Sequence, residues 1–124
     1  MRPQASTLTT QELALMRIIW RREAVTVRHV YEELLEHRRI AYTSVMTIMK
    51  TLERKGYLRA MQHGRAYVYQ VTTPEDHVIK GMTREFVDRV FGGSAGRLVV
   101  QLLEAKQLSK SDLREILRTT RTMT

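Results

Sequence analysis

The chain has 124 residues, 43% of them hydrophobic, which suits one ordinary domain or a small domain with an appendage and is too apolar for a disordered chain. It carries 21 Lys+Arg against 13 Asp+Glu, a formal +8, and this balance favours a polyanionic partner such as nucleic acid or an anionic surface, although basic charge also serves solubility alone. Cysteine is absent, which excludes disulfides, thiolate zinc sites and thiol redox sensing.

The charge is unevenly placed. Residues 1–73 hold 12 Lys+Arg and 6 Asp+Glu, a net of +6, whereas residues 74–124 hold 9 and 7, a net of +2. A polyanion is therefore expected to meet the first part. Runs such as Leu98-Val99-Val100 are far below membrane-spanning length, and the N-terminus has no cationic start followed by an apolar segment and a small-residue cleavage site. A cytoplasmic protein with no membrane association is expected.

The first helix opens at Leu8-Thr9-Thr10-Gln11-Glu12-Leu13: Thr9 caps, Glu12 completes a capping box, and Leu8 with Leu13 forms a hydrophobic staple. It runs to about Arg22, with Leu13, Met16, Ile19 and Trp20 as the expected buried side. Ala24-Val25 reads as a short extended link. Thr26 caps a second helix from Val27 to about His37, with Val27, Val30, Tyr31 and Leu34 inward. Glu32, Glu33 and Glu36 on it read as a solvated face.

The third helix, Thr43 to Lys55, is the most informative segment. Val45, Ile48, Met49 and Leu52 fall at i, i+3, i+4, i+7 and form an inward stripe. Thr43, Thr47, Lys50 and Arg54 form the opposite stripe, with two cations, two threonines and no acid. Such a surface suits a helix laid into the major groove of DNA. Gly56 ends the helix in the left-handed conformation that glycine adopts at little cost. Tyr57 to Met61 and Ala66 to Val71 then alternate as two strands around a His63-Gly64 turn. Three helices and a terminal hairpin make a winged helix-turn-helix. The fold class expected is mainly α with a small β-hairpin wing, followed by C-terminal dimerisation helices, with residues 1–72 the DNA-binding domain and 73–124 the helical region.

Thr73 and Pro74 start a fourth helix, to about Phe91, carrying Val78, Ile79, Met82, Phe86 and Val90. Gly92-Gly93 stops it. Ser94 opens a fifth with Leu98, Val99, Leu102 and Leu103, and Ser109 a sixth with Leu113, Ile116 and Leu117. So short a region is too thin to bury this aliphatic surface on itself. A second copy of the chain is the favoured cover, and folding back on the wing domain is the alternative.

Nothing nominates catalysis, a cofactor or a metal. His29, His37, His63 and His77 are scattered without an i, i+4 pair, and no nucleophile-elbow, Walker, zinc-protease or dinucleotide pattern occurs. For DNA the roles follow from geometry. Lys50 and Arg54 reach groove or phosphates, and Thr43 and Thr47 are short enough for base edges. Ser44, Met46 and Thr51 are counted with that helix surface. Arg59 and Arg65 suit phosphates or a minor groove from the wing, while the backbone near Thr26, aided by Arg28, suits a phosphate. A winged helix used only for protein contact is the alternative, and a regulator that holds a small molecule between the wing domain and the C-terminal helices is a further one.

Three stretches carry a resemblance: Leu8-Thr9-Thr10-Gln11-Glu12-Leu13-Ala14-Leu15-Met16-Arg17-Ile18-Ile19-Trp20, then Ala41 through Leu58, then Arg65-Ala66-Tyr67-Val68-Tyr69. In this order they resemble the penicillinase-repressor family, which includes the methicillin-resistance regulator and copper-transport repressors. The resemblance implies a homodimeric winged-helix repressor on an inverted-repeat operator, often of β-lactam resistance genes. It also implies a sensor protease that cleaves staphylococcal-type members at an Asn-Phe bond. Here Gln101-Leu102 stands at the matching position, which speaks against that route, and the missing cysteines exclude the copper-responsive motif.

Overall fold

The computed structural model describes residues 8–123. Its elements are α1 (Thr10–Arg22), β1 (Ala24–Val25), α2 (Val27–Leu35), α3 (Tyr42–Lys55), β2 (Leu58–His63), β3 (Ala66–Val71), α4 (Glu75–Phe91), α5 (Ala95–Glu104) and α6 (Lys110–Met123). They form two compact units, one up to Met82 and one from Thr83, so the division falls within α4.

In the first unit, α1 begins as its sequence requires. Thr9 Oγ1 accepts from Glu12 N at 3.1 Å, and Thr9 N donates to Glu12 Oε1 at 2.9 Å. The buried side of α1 is Leu15, Met16, Ile18 and Ile19, whereas Leu13 and Trp20 are only partly buried at its margin. Trp20 is held at that margin by its indole N–H, which donates to the Thr73 carbonyl at 3.1 Å. Val30 and Leu34 of α2 and Val45, Met49 and Leu52 of α3 complete the helical core, with Ile48 packing against it from the side.

Helix α3 stops at a Schellman turn. Gly56 takes φ +95°, its N–H reaches the Glu53 carbonyl at 3.0 Å, and Tyr57 N–H reaches the Leu52 carbonyl at 2.9 Å. Leu52 and Tyr57 are both buried, so the chain leaves α3 in a direction set by core packing and enters the wing directly.

The wing differs from its sequence reading in two ways. Its turn is Gly64-Arg65 rather than His63-Gly64, because His63 pairs with Ala66. Gly64 at φ +61° followed by a residue with negative φ is the pattern of a two-residue hairpin that matches strand twist. Ala24-Val25 is a strand rather than a link: it pairs antiparallel with Gln70 and Tyr69, giving the sheet order β1-β3-β2. Glu23, at φ +68°, turns the chain from α1 into this strand. Glu33 of α2 is no solvated acid either, since it is paired with both Arg21 and Arg22.

Val78 at the start of α4 joins the core of the first unit, and Met82 packs against it. In the second unit, Gly92 and Gly93 at φ +58° and +88° stop α4, and Ser94 Oγ caps α5 by accepting from Arg97 N at 3.2 Å. Ser109 and Asp112 cap α6 reciprocally, at 2.9 and 3.0 Å. The Ser109 backbone N–H first, and then the Ser109 side chain, hold the Asp112 carboxyl below its usual pKa. No helix among the described residues is long and apolar enough to cross a membrane.

Candidate nucleic-acid interface

The site is built around α3. One flank of this helix, through Tyr42, Met46 and Lys50, lines a groove of about 550 Å³ with Thr26, Val27 and Arg28 of the α2 start and Arg65, Ala66, Tyr67 and Tyr69 of the wing. No acid lines it. The groove thus joins five of the residues expected to meet DNA: Thr26, Arg28, Met46, Lys50 and Arg65. The opposite flank of α3 lines a second, shallower hollow through Thr43, Ser44, Thr47 and Ile48, together with Gln11, Arg39, Ile40 and Ala41.

Local chemistry sets what each group offers. Thr26 and His29 cap α2 reciprocally at 3.2 Å, Thr26 N donating to His29 Nδ1 and His29 N to Thr26 Oγ1. The Thr26 N–H is therefore committed, and any anion at this helix start would meet the first-turn donors of Val27 and Arg28 instead. Arg28 has its guanidinium carbon 5.9 Å from the Tyr42 ring centre and Nη1 3.7 Å from Glu32 Oε2. Tyr42 is itself braced edge-on by Tyr31 at 5.3 Å. These contacts aim Arg28 at the mouth of the groove.

On α3 the hydroxyls of Thr47 and Thr51 donate to the carbonyls of Thr43 and Thr47, both at 3.0 Å. Their methyls remain for a partner, as do the lone pairs of the Thr47 oxygen. Arg54 Nη2 lies 3.4 Å from Thr51 Oγ1. Arg59 stands apart. It pairs across the hairpin with Gln70, whose amide oxygen accepts from its Nη2 at 3.2 Å. Gln70 alternates with the groove residue Tyr69, so Arg59 lies on the far face of the wing. Burial pushes the Tyr69 hydroxyl pKa up, and the charges of Glu53 and Tyr67 add to that.

Glu12 holds α3 from below. It is the buried charged residue among the described ones, 6% exposed, and its Oε1 accepts from Lys55 Nζ at 2.8 Å as well as from Thr9 N. Burial alone would raise its pKa. The Lys55 hydrogen bond, the Thr9 backbone bond and the Lys55 charge outweigh that, and the carboxyl is held below its ordinary value. The last turn of α3 is thereby tied to the first turn of α1.

Sequence reasoning missed Tyr42, Val27, Tyr67 and Tyr69 in the groove, and Gln11 and Arg39 in the hollow. Tyr42 was within reach, because it precedes Met46 and Lys50 by four and eight residues on one helix flank. Gln11 carries no such signal, since only the packing of α1 against α3 brings it there.

The residues expected to form a dimer surface divide. Val78 belongs to the first unit's core, while Ile79, Met82, Leu98 and Leu102 are half-buried. Phe86, Val90, Val99, Leu103, Leu113, Ile116 and Leu117 are exposed, Leu117 by 57%.

Residues 8–121 match the family model described as penicillinase repressor. The chain belongs to the penicillinase repressor family. It is 27% identical to the penicillinase repressor of Bacillus licheniformis over 109 residues, 88% of this chain and 85% of that one. With the methicillin resistance regulatory protein MecI of Mammaliicoccus sciuri it shares 21% over 88% of this chain and 89% of the relative. Among solved structures it is similar to the DNA-binding domain of the repressor BlaI, with a TM-score of 0.54 at 24% identity over 60% of this chain and 90% of that chain. It is also similar to monomeric Bacillus licheniformis BlaI in complex with the blaP half-operator, with a TM-score of 0.51 at 24% identity over 60% of this chain and 92% of that one. The likeness to these structures establishes the winged-helix fold.

Proposed function

We propose that the chain is a sequence-specific DNA-binding transcriptional repressor that works as a homodimer on an inverted-repeat operator and controls β-lactam resistance or related stress genes. The observation that carries this reading is the acid-free groove that joins the α2 start, α3 and the wing around Arg28, Lys50 and Arg65. The half-operator bound to the related BlaI supports DNA as the partner.

In this reading α3 enters the major groove. Thr43, Ser44, Met46, Thr47 and Thr51 meet base edges, while Lys50 and Arg54 reach bases or phosphates. Arg28 and Arg65 hold the backbone and fix the register, which by itself selects no sequence. Residues 1–72 serve as the DNA-binding domain and 73–124 as the dimerisation region, although Val78 is shared with the winged-helix core. Exposed apolar side chains on α5 and α6 are the surface a second copy would cover. Two linked half-site contacts then bind far more tightly than one. Gln101-Leu102 lies within α5 and argues for release by a route other than cleavage at the family's Asn-Phe bond.

A gel shift on the duplex upstream of the chain's own gene tests the reading, with Lys50→Ala beside the wild type. Retardation that weakens in the variant supports it. Wild-type protein that retards neither this duplex nor unrelated DNA at low salt would sink it.

A further inference from the structure

Pairing among side chains decides where the excess charge of the first unit is left. Arg17 pairs with Glu75, Arg21 and Arg22 with Glu33, Arg28 with Glu32, and Lys55 with Glu12. The side chains of Arg38, Arg39, Lys50 and Arg65 have no hydrogen-bonding or ion-pair partner among the described residues. Lys50 and Arg65 stand on one flank of α3, in the groove with Arg28. Arg39 stands on the other flank, in the hollow that Gln11, Thr43, Ser44 and Thr47 also line, and Arg38 is exposed beside it in the turn between α2 and α3. No acid among the described residues lines this hollow.

The two flanks have a counterpart in duplex DNA. A major groove is about 12 Å wide and edged by the phosphates of both strands. A helix with its side chains is about 10–12 Å across, so one that enters the groove presents each flank to a different phosphate chain. A cation on only one flank would hold one edge. We propose that Arg39, assisted by Arg38, is a second phosphate clamp, gripping the strand opposite the one held by Arg28, Lys50 and Arg65. The clamp positions α3 between both edges of the groove and reads no base. It rests on the DNA-binding function proposed above.

The test uses the full chain and its Arg38→Ala/Arg39→Ala variant. Both are titrated at salt from about 50 to 200 mM onto the upstream duplex and a scrambled duplex of equal length. Both arginines are exposed and have no partner among the described residues, so circular dichroism and melting temperature should not change. The variant should bind both duplexes more weakly, with a log–log salt slope shallower by about 0.9 for each phosphate it no longer neutralises. The ratio of wild-type to variant affinity should then shrink about 3.5-fold per arginine across that salt range. Wild-type binding with an unchanged slope and affinity in the variant would overturn the clamp and leave the DNA-binding reading standing. A weakening confined to the upstream duplex would also overturn it, as base recognition instead of a phosphate grip. Absence of wild-type binding to either duplex would overturn both proposals.

Discussion

The two units of this chain treat the same kinds of residue differently. In the first, Leu15, Met16, Ile19, Val30, Val45, Met49 and Leu52 are sealed from water, and what stays outside is largely cationic or hydroxylated. In the second, α5 and α6 bury none of their residues, and Leu103, Leu113, Ile116 and Leu117 face solvent. Apolar area removed from water stabilises by about 25 cal/mol per Å². The first unit gains this within one chain, whereas α5 and α6 gain little of it. Under the proposed function, a winged helix with its own core and a helical region covered by a second copy would be the division of labour of a two-site DNA binder.

The sharpest way to break that comparison is to separate the units. A chain ending at Met82 retains Val78 and Met82 and should stay folded and monomeric in sedimentation, while its operator affinity falls by about 10²-fold or more because bivalent binding is gone. A full chain already monomeric at micromolar concentration would remove the basis for the contrast. Next come core deletions. Leu15→Ala should lower unfolding stability by about 2–5 kcal/mol in denaturant titration, because Leu15 is fully enclosed. Leu117→Ala should leave the stability of the first unit unchanged and act on association only, an outcome that analytical ultracentrifugation at several concentrations separates from unfolding.

A smaller effect concerns the tie between α1 and α3. The folded pKa of Glu12 lies below its unfolded value, so the Glu12–Lys55 pair contributes stability that is fully present above the unfolded value and lost as pH falls through the folded one. Stability measured from neutral pH down through the acid range should therefore fall more steeply in the wild type than in Glu12→Gln. The variant itself should be less stable at neutral pH by about 1–3 kcal/mol. Parallel acid limbs in the two proteins would contradict the pair's role. The smallest expected change is in Lys50→Ala, which should leave stability alone and shallow the salt slope of DNA binding by about 0.9.

Much of this was legible in the chain itself because it depends on neighbours a few residues apart. Thr9 with Glu12, Thr26, Ser94 and Ser109 mark helix starts, and Gly56 and Gly92-Gly93 mark ends, since a cap is a contact within one turn. The inward stripe Val45, Met49, Leu52 follows from helical period, and so does the outward stripe that nominates DNA. The hairpin was visible by alternation, but its turn slipped by one residue. Either His63-Gly64 or Gly64-Arg65 satisfies the local pattern, and the pairing of Leu58 with Val71 sets the register.

Sequence by itself therefore determined the helices and the hairpin, their caps, the basic surface of α3 and the kind of partner it suits. Tertiary structure alone decided that Ala24-Val25 is a strand, that Glu12 grips Lys55, that Arg59 lies on the far face of the wing and that Val78 belongs to the first core. It also sorted the cations, pairing those on α1 with acids and leaving Arg38, Arg39, Lys50 and Arg65 around α3 without a side-chain partner among the described residues. The physical reason is range. Caps and periodicity act within one or two turns, whereas these decisions join different elements whose meeting depends on how the whole core closes.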